Sequence, residues 1–487
     1  MTIFETEKNA RRILLWMLVY SLPVFQSMLP VEDPDLWWHL RTGQWILTNG
    51  YVPTIDHFST YGMGKRWIPY SWLFEVVIYG IYSGFGLMGI VAFTVVMSLL
   101  IALALHKIVR RAQLPFVLEI VLMASALAGM KPLITPRSWL FSILFFAVEL
   151  AILFAVRRSG RSVFLWLLPP LFVLWANIHL QFIYGLAAIM FLWLEVVFTR
   201  LYHSRMEGVR SPSIPIAHLT SAGIACLAAV LVTPYHYQLI YPILDVSTQT
   251  GAFSNVLELH PMYFRSPADW FVLVLTLFAA YVLGWRREWM IFPLLLLAMG
   301  AFLGFRSRRD VWVVVLTAVA TVSEFRIIQS TSEYFVFSRR RILAIAAAVA
   351  LAGYLIGNHR QITEAQLKNV VAQQFPAKAV DFIIENRLPG PLFNNFDWGG
   401  YLIWRLPALP VSIDNRMNVH GDERIERSLA TWSGREGWNK DPELASARLV
   451  VADTRRPLVA LLRADRRFKL VYEDGTAAVF VAMTEKS

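Results

Sequence analysis

The sequence predicts a polytopic α-helical membrane protein of about eleven spans with outer-face juxtamembrane helices, followed by a C-terminal soluble α/β domain. Three observations predict the membrane part. Of 487 residues, 56% are hydrophobic and 16% charged, where soluble domains run about 45–50% and about 25%. The apolar residues fall in discrete runs long enough to cross a bilayer. Basic clusters recur between those runs, as they do in cytoplasmic loops.

The N-terminus carries Lys8, Arg11 and Arg12 before an apolar run over 13–29. That run lacks a small-residue cleavage site, so it is expected to remain as a span. The N-terminus is then cytoplasmic and residue 31 is outside. The next basic loop holds Lys107, Arg110 and Arg111. One crossing therefore lies between 70 and 105. Residues 86–105 fill it, and 70–85, short and carrying Glu75, is expected to lie along the outer surface. The remaining spans alternate over 114–130, 139–156, 163–176, 182–198, 216–233, 270–285, 289–305, 311–323 and 342–356. They return to Arg157, Arg158 and Arg161, to Arg200, Arg205 and Arg210, to Arg286 and Arg287, and to Arg339, Arg340 and Arg341. The expected domains are 1–357, transmembrane, with 31–85 as the first outer loop and its surface helices, and 358–487, extracytoplasmic.

The tail has soluble composition. Helices are expected at 379–385 and 458–464. Strands are expected at 390–396, 410–414, 448–453, 468–472 and 478–481, the last two joined by an Asp474-Gly475 turn. Asp397-Trp398-Gly399-Gly400 reads as a tight turn, and Asp414 with Arg416 as an ion pair. There is no internal repeat, and no glycine-rich phosphate loop, HExxH or GxSxG motif. The formal net charge of +11 follows from the cytoplasmic loops. No basic stripe with interleaved aromatics points to nucleic acid. Cys226 is the single cysteine, which excludes an intrachain disulfide and a cysteine zinc site.

The chemistry-bearing residues concentrate in Glu32-Asp33-Pro34-Asp35-Leu36-Trp37-Trp38-His39. Asp33 and Asp35 can together hold a divalent cation such as Mg or Mn, or one can act as general base. Either can instead cap the helix that follows. Trp38 can stack on a sugar or anchor at the membrane interface, and His39 stands beside it. Two basic clusters break the positive-inside rule: Lys131 with Arg137, and Arg306, Arg308 and Arg309. Arg137 and the 306–309 group are candidate phosphate binders, since guanidinium gives bidentate contacts; pairing with acids or headgroups is the plainer reading. Asn177 and His179 end a span on the same face, and His179 can titrate near neutrality or bond a phosphate. Glu258 and His260 lie in an outer loop, Glu258 as a further substrate-binding candidate.

These residues carry a resemblance. A first span, an outer loop opening with paired acids and an aromatic surface helix are together similar to the GT-C superfamily of membrane glycosyltransferases. The resemblance rests on Asp33-Pro34-Asp35-Leu36-Trp37-Trp38-His39-Leu40-Arg41-Thr42-Gly43, Val52-Pro53-Thr54-Ile55-Asp56-His57-Phe58-Ser59 and Trp67-Ile68-Pro69-Tyr70-Ser71-Trp72-Leu73-Phe74-Glu75. Trp175-Ala176-Asn177-Ile178-His179 and Phe393-Asn394-Asn395-Phe396-Asp397-Trp398-Gly399-Gly400-Tyr401-Leu402 extend it over most of the chain. It points to a bacterial branch distant from protein O-mannosyltransferases and aminoarabinose transferases of lipid A. What it implies is an enzyme of the inner (cytoplasmic) membrane that takes a lipid-linked sugar, on polyprenyl phosphate, and acts at the outer face among membrane lipids, with an acid of the first loop as base or metal ligand. Asp33 and Asp35 match that position. Where relatives carry a Lys/His-Pro-Pro-Leu motif, this chain has Trp67-Ile68-Pro69-Tyr70, so sugar and acceptor do not carry over. The alternatives are a transporter or lipid flippase, and a non-catalytic envelope assembly protein.

Overall fold

The computed structural model describes residues 3–29, 31–202, 213–248, 257–285, 290–324 and 337–483. Arg205, Arg210, Arg286 and Arg287, expected in cytoplasmic loops, lie outside the described residues. The chain divides into two compact units. The first comprises 1–29, 91–236 and 256–361; the second comprises 30–90, 237–255 and 362–487. Besides the tail, the second unit takes in the first outer loop, the half of the following helix up to Ile90, and a short stretch after His236.

The first unit is helical. Among the described residues five helices are long and apolar enough to cross a membrane: Trp72–Ala112, Trp139–Ser159, Phe182–Tyr202, Pro267–Trp285 and Arg339–His359. Shorter apolar helices stand at Phe116–Gly129, Ser162–Ile178, Ile216–Ala229 and Ile291–Arg306. The helix Val311–Glu324 is buried on all sides up to Ser323 and packs against Pro267–Trp285, Ile291–Arg306, Phe116–Gly129 and Trp139–Ser159. Its Val- and Ala-rich sequence, apolar around the whole circumference, suits that central place. Outer helices instead expose large apolar side chains such as Val117, Ile224, Val274, Phe302 and Leu351. An apolar outside around a filled inside is what lipid solvent requires.

Charges meet at the helix ends. Arg157 makes three bonds to Glu195, at 2.6, 3.0 and 3.2 Å, and one to Glu324 at 2.7 Å. Arg158 adds a bond to Glu324 at 2.6 Å. The Glu195 carboxylate also accepts the amide of Phe292 at 3.2 Å, at the start of the helix Ile291–Arg306. The structure brings these four side chains into one ion cluster.

In the second unit the run 72–109 is a helix broken at Gly86, whose φ of 62° and ψ of −151° no helix contains. The break falls where the surface helix was expected to give way to a span. The Glu364 carboxylate accepts the Met88 amide at 3.1 Å there, and it occupies the space a Cβ on residue 86 would need. A positive φ and this close approach both call for glycine.

The tail folds as a mixed sheet of four strands, β1 (Leu392–Asn394), β2 (Leu449–Asp453), β3 (Phe468–Glu473) and β4 (Ala477–Ala482), in the order β1-β2-β4-β3. β1 and β2 are parallel, with Phe393 opposite Val450; β2/β4 and β3/β4 are antiparallel. Asp474 closes the β3–β4 turn by accepting the amides of Thr476 and Ala477, both at 2.8 Å. The helices Ala377–Glu385 and Pro457–Ala464 match expectation; Glu364–Gln374, Gly399–Arg405 and Asp422–Trp432 were not foreseen.

Two expectations are corrected. Residues 410–414 are not a strand. The side chain of Asn394 takes the place of a ladder partner, accepting the Ser412 amide at 2.9 Å and donating to the Ile413 carbonyl at 2.8 Å. Val411 meanwhile makes an isolated bridge with Ser59. The second correction concerns 397–400, which form a 3-10 turn running into the helix Gly399–Arg405. The glycines there serve close approach: a Cβ on Gly400 would stand 2.7 Å from the Pro34 carbonyl oxygen and 3.2 Å from the Trp38 ring. The helix Gly399–Arg405 thereby lies directly on the helix Asp35–Asn49.

Gly400→Ala is therefore expected to destabilise the second unit by about 1–3 kcal/mol through overpacking. Thermal unfolding of the purified protein checks this, and an unchanged midpoint contradicts the contact.

Candidate functional site

The acid loop enters the helix Asp35–Asn49 through Pro34. One Asp33 carboxylate oxygen accepts the Asp35 amide at 3.0 Å, which closes a turn just ahead of the helix, whose N-cap position is Pro34. Asp35 stands in the first turn, where a negative charge is favoured by the helix dipole. Both acids are half-buried. One turn on, His39 is buried, its Nδ1 3.2 Å from Glu75 Oε1. Trp38 lies against the His39 ring, with centroids 3.6 Å apart, and meets Trp67 edge-on. Its Nε1 is buried with no hydrogen-bond partner, as is the second oxygen of Glu75.

Beneath these rings Arg416 is fully enclosed. It bonds Asp414 through Nε at 2.8 Å and Nη2 at 2.7 Å, and Asp56 through Nη1 at 2.7 Å. Its guanidinium stands 4.5 Å from the Trp67 ring centroid and 5.2 Å from that of Phe58. Asp56 also accepts the amides of Phe58 and Ser59, and His420 Nε2 lies 3.0 Å from Asp414. Burial alone would raise the Asp414 carboxyl; the charges of Arg416 and His420 outweigh it and hold the group far below the usual carboxylate range. The expected ion pair is present, and Asp56 makes it a triad linking the first loop to the tail.

In the first unit the helix ends gather most of the remaining candidates. Arg137 Nη2 bonds Glu258 Oε1 at 3.2 Å and its guanidinium lies 4.9 Å from the Trp139 ring. The stretch 258–262 runs beside 305–309: Arg309 N donates to Glu258 O at 2.9 Å, Arg308 N to His260 O at 3.0 Å, and Met262 N to Phe305 O at 3.1 Å. Gln181 donates to Asp310 at 2.7 Å, and Ser142 Oγ lies 2.9 Å from His179 Nδ1. Arg306 and Arg309 both act on the charge of buried Asp310, whose carboxyl burial raises. Asn177 fastens two backbone carbonyls, those of Val173 and Val232.

His179 does not titrate near neutrality. Burial first, then the positive charge of Arg309, push it down to about 3, against a weaker opposing bond from Gln181. Its imidazole is neutral at physiological pH and serves as a hydrogen-bonding group.

The structure thus brings Arg137, Glu258, Arg308, Arg309 and His179 into one cluster, and joins Asp33, Asp35, Trp38 and His39 within the second unit. Sequence reading missed Gln181, Tyr184 and Asp310, which serve the arginine cluster, and Asp56. Two of these were adjacent to motifs already singled out: Asp310 follows Arg309, and Gln181 lies two residues after His179. Among the described residues no three His, Cys, Asp or Glu side chains group as a metal cage.

The chain shares its fold with a crystal structure of the Archaeoglobus fulgidus oligosaccharyltransferase in the apo form. The TM-score is 0.51 at 12% identity, over 93% of this chain and 70% of that one. ArnT from Cupriavidus metallidurans, bound to undecaprenyl phosphate, aligns over 98% of both chains with TM-score 0.49 and 12% identity. The match to the oligosaccharyltransferase carries the resemblance seen in the sequence at the level of the fold alone. No family model matches the chain, and no curated protein matches it.

Two outcomes are expected. A histidine with its folded pKa depressed stabilises the native state above its unfolded value, about 6.5, and that stability is lost as pH falls toward the folded value. Unfolding free energy should therefore fall by about 1.4 kcal/mol per pH unit from His179 between roughly pH 6 and 4. His179→Asn should flatten that slope in pH-resolved denaturation, and an unchanged slope contradicts the assignment. For the partly exposed Arg137–Glu258 pair, a double-mutant cycle should give a coupling of only about 0.2–1 kcal/mol.

Proposed function

We propose that this chain is an inverting glycosyltransferase that moves a sugar from a polyprenyl-phosphate donor to an acceptor hydroxyl at the outer face of a bacterial inner membrane. On this reading about eleven spans place the N-terminus in the cytoplasm and residues 358–487 outside. The observation that carries it is the group of guanidinium side chains at one end of the helical unit, with a neutral histidine beside it. Cations at helix ends that break the positive-inside rule suit a phosphate at the membrane surface. The shared fold with an oligosaccharyltransferase and the acid-opened first loop support it.

In the proposed reaction Arg137, Arg306, Arg308 and Arg309 neutralise the donor phosphate and so stabilise the leaving group. Asp35 takes the proton of the acceptor hydroxyl, whose oxygen attacks the anomeric carbon. The bond from that carbon to the phosphate oxygen breaks, and its electron pair leaves with the lipid phosphate. Asp33 holds the turn that presents Asp35. Trp38 offers an aromatic face to the sugar, and His179, Asn177 and Glu258 order the polar surroundings. No step requires a metal.

A transport reading has one specific observation in its favour. Glu149 lies in the middle of the helix Trp139–Ser159, fully buried, and among the described residues neither of its oxygens has a hydrogen-bond partner. Ionisable groups at such depth often mark pathways.

Asp35→Asn should lower transfer by about 10²–10⁴-fold in a membrane assay. Asp33→Asn, whose amide oxygen can still accept the Asp35 N–H, should keep most activity. Full activity in Asp35→Asn would remove it as the base. Glu149→Gln should leave transfer intact; its abolition, with lipid movement retained in wild type, turns the choice toward transport.

A further inference from the structure

The second unit contains a cavity that the transfer chemistry above does not use. Its volume is about 90 Å³, and Arg41, Trp45, His57, Leu406, Pro407 and Pro410 contribute to its lining. Arg41 and Trp45 come from the helix Asp35–Asn49, one and two turns beyond Trp37–Trp38; Leu406 to Pro410 follow the helix Gly399–Arg405. Trp45 and His57 stack with centroids 4.9 Å apart and planes 19° from parallel, forming a flat aromatic wall.

Arg41 is the anomaly. Its Nη1 donates to Gln44 at 2.6 Å, but its Nε is buried with no hydrogen-bond partner. Among the described residues no carboxylate pairs with it. Arg41 is half-buried, and that burial lowers its pKa below the ordinary arginine value. Its planar guanidinium fork fits carboxylate or phosphate. Beside it lie an aromatic wall and prolines, which suit the C–H faces of a pyranose ring. The volume holds one charged group and the edge of a ring; it is too small for a lipid chain.

We propose that this cavity is a binding subsite for the anionic group of an acidic sugar, with Arg41 taking the charge and the Trp45–His57 wall the ring. The site makes an acidic sugar a substrate of the transferase. That last step rests on the glycosyltransferase reading; the binding itself does not. The shared chemistry is a sugar bearing a negative charge, whether a carboxylate or a phosphate ester.

The test is equilibrium dialysis of the full-length protein in detergent, without donor, against labelled glucuronate, glucose 6-phosphate, glucose and inorganic phosphate. Binding of glucuronate or glucose 6-phosphate about tenfold or more tighter than glucose is expected, and the stronger of the two names the anion. Arg41→Gln should abolish that preference, and Arg41→Lys should restore only part of it because the fork is lost. Equal binding of charged and neutral sugars, or unchanged preference in Arg41→Gln, overturns the proposal. Inorganic phosphate binding as tightly as glucose 6-phosphate overturns its sugar half. Should Arg41→Gln fail to fold, the charged-to-neutral ratio on wild type and on Trp45→Leu decides. Because no transfer is measured, an inactive protein that still selects acidic sugars refutes the transferase reading alone, and an active one that does not refutes this site alone.

Discussion

Arg416 is the constraint on which the second unit depends. A guanidinium taken wholly out of water must meet acceptors on every side, and here they come from two stretches some 360 residues apart: Asp414 beside it and Asp56 of the first loop. Two aromatic rings, Trp67 and Phe58, cover its faces. Once that centre is in place, the loop 54–67 has a fixed conformation, because Asp56 also holds the amides of Phe58 and Ser59. Trp67 then braces Trp38, and Gly400 lets the helix Gly399–Arg405 settle on Pro34 and Trp38. The acids that open the loop therefore stand on a frame built jointly by N- and C-terminal sequence. Loss of one partner in a buried ion cluster typically costs about 3–5 kcal/mol, which makes this frame all-or-none.

The first unit solves a different problem. In hydrocarbon charges are favoured where helices end, and apart from the mid-helix Glu149 the ionisable groups described above gather near such ends. Arg157, Arg158, Glu195 and Glu324 close one set of ends; Arg137, Glu258, Arg308, Arg309, Asp310 and His179 close the other. The first set is mutually satisfied, with bidentate geometry that leaves a structural role as sufficient explanation. The second set contains a desolvated neutral histidine and a buried carboxyl that burial raises. Perturbed groups beside several cations suit a site that changes charge when a ligand arrives.

Much of the helical layout was legible because lipid imposes a simple rule: apolar runs with basic breaks. The boundary expected at 85/86, drawn from charge counting and from the short, Glu75-bearing stretch before it, coincides with the break at Gly86. The Asp414–Arg416 pair was readable from proximity in sequence, whereas Asp56 was not, since nothing local signals a partner hundreds of residues away. Residues 410–414 misled because their alternation is genuine, yet a side chain, Asn394, stands where a strand was assumed. For the same reason Asp33 could be weighed as cap or catalyst but not placed where it is found, closing a turn ahead of the N-cap Pro34. The near-neutral titration expected of His179 failed because burial and Arg309 act together, and neither is visible in a linear motif.

The account reduces to one chemical claim, that the protein cleaves the bond between a sugar and a polyprenyl phosphate. It is tested most directly by incubating the purified full-length protein with short-chain polyprenyl-phosphate sugars and membrane acceptor extract, and following free polyprenyl phosphate by mass spectrometry. The account predicts time-dependent release for at least one sugar, with the label recovered on an acceptor in inverted anomeric configuration. Retention of every donor intact, accompanied by movement of the labelled lipid between leaflets in reconstituted vesicles, would contradict it.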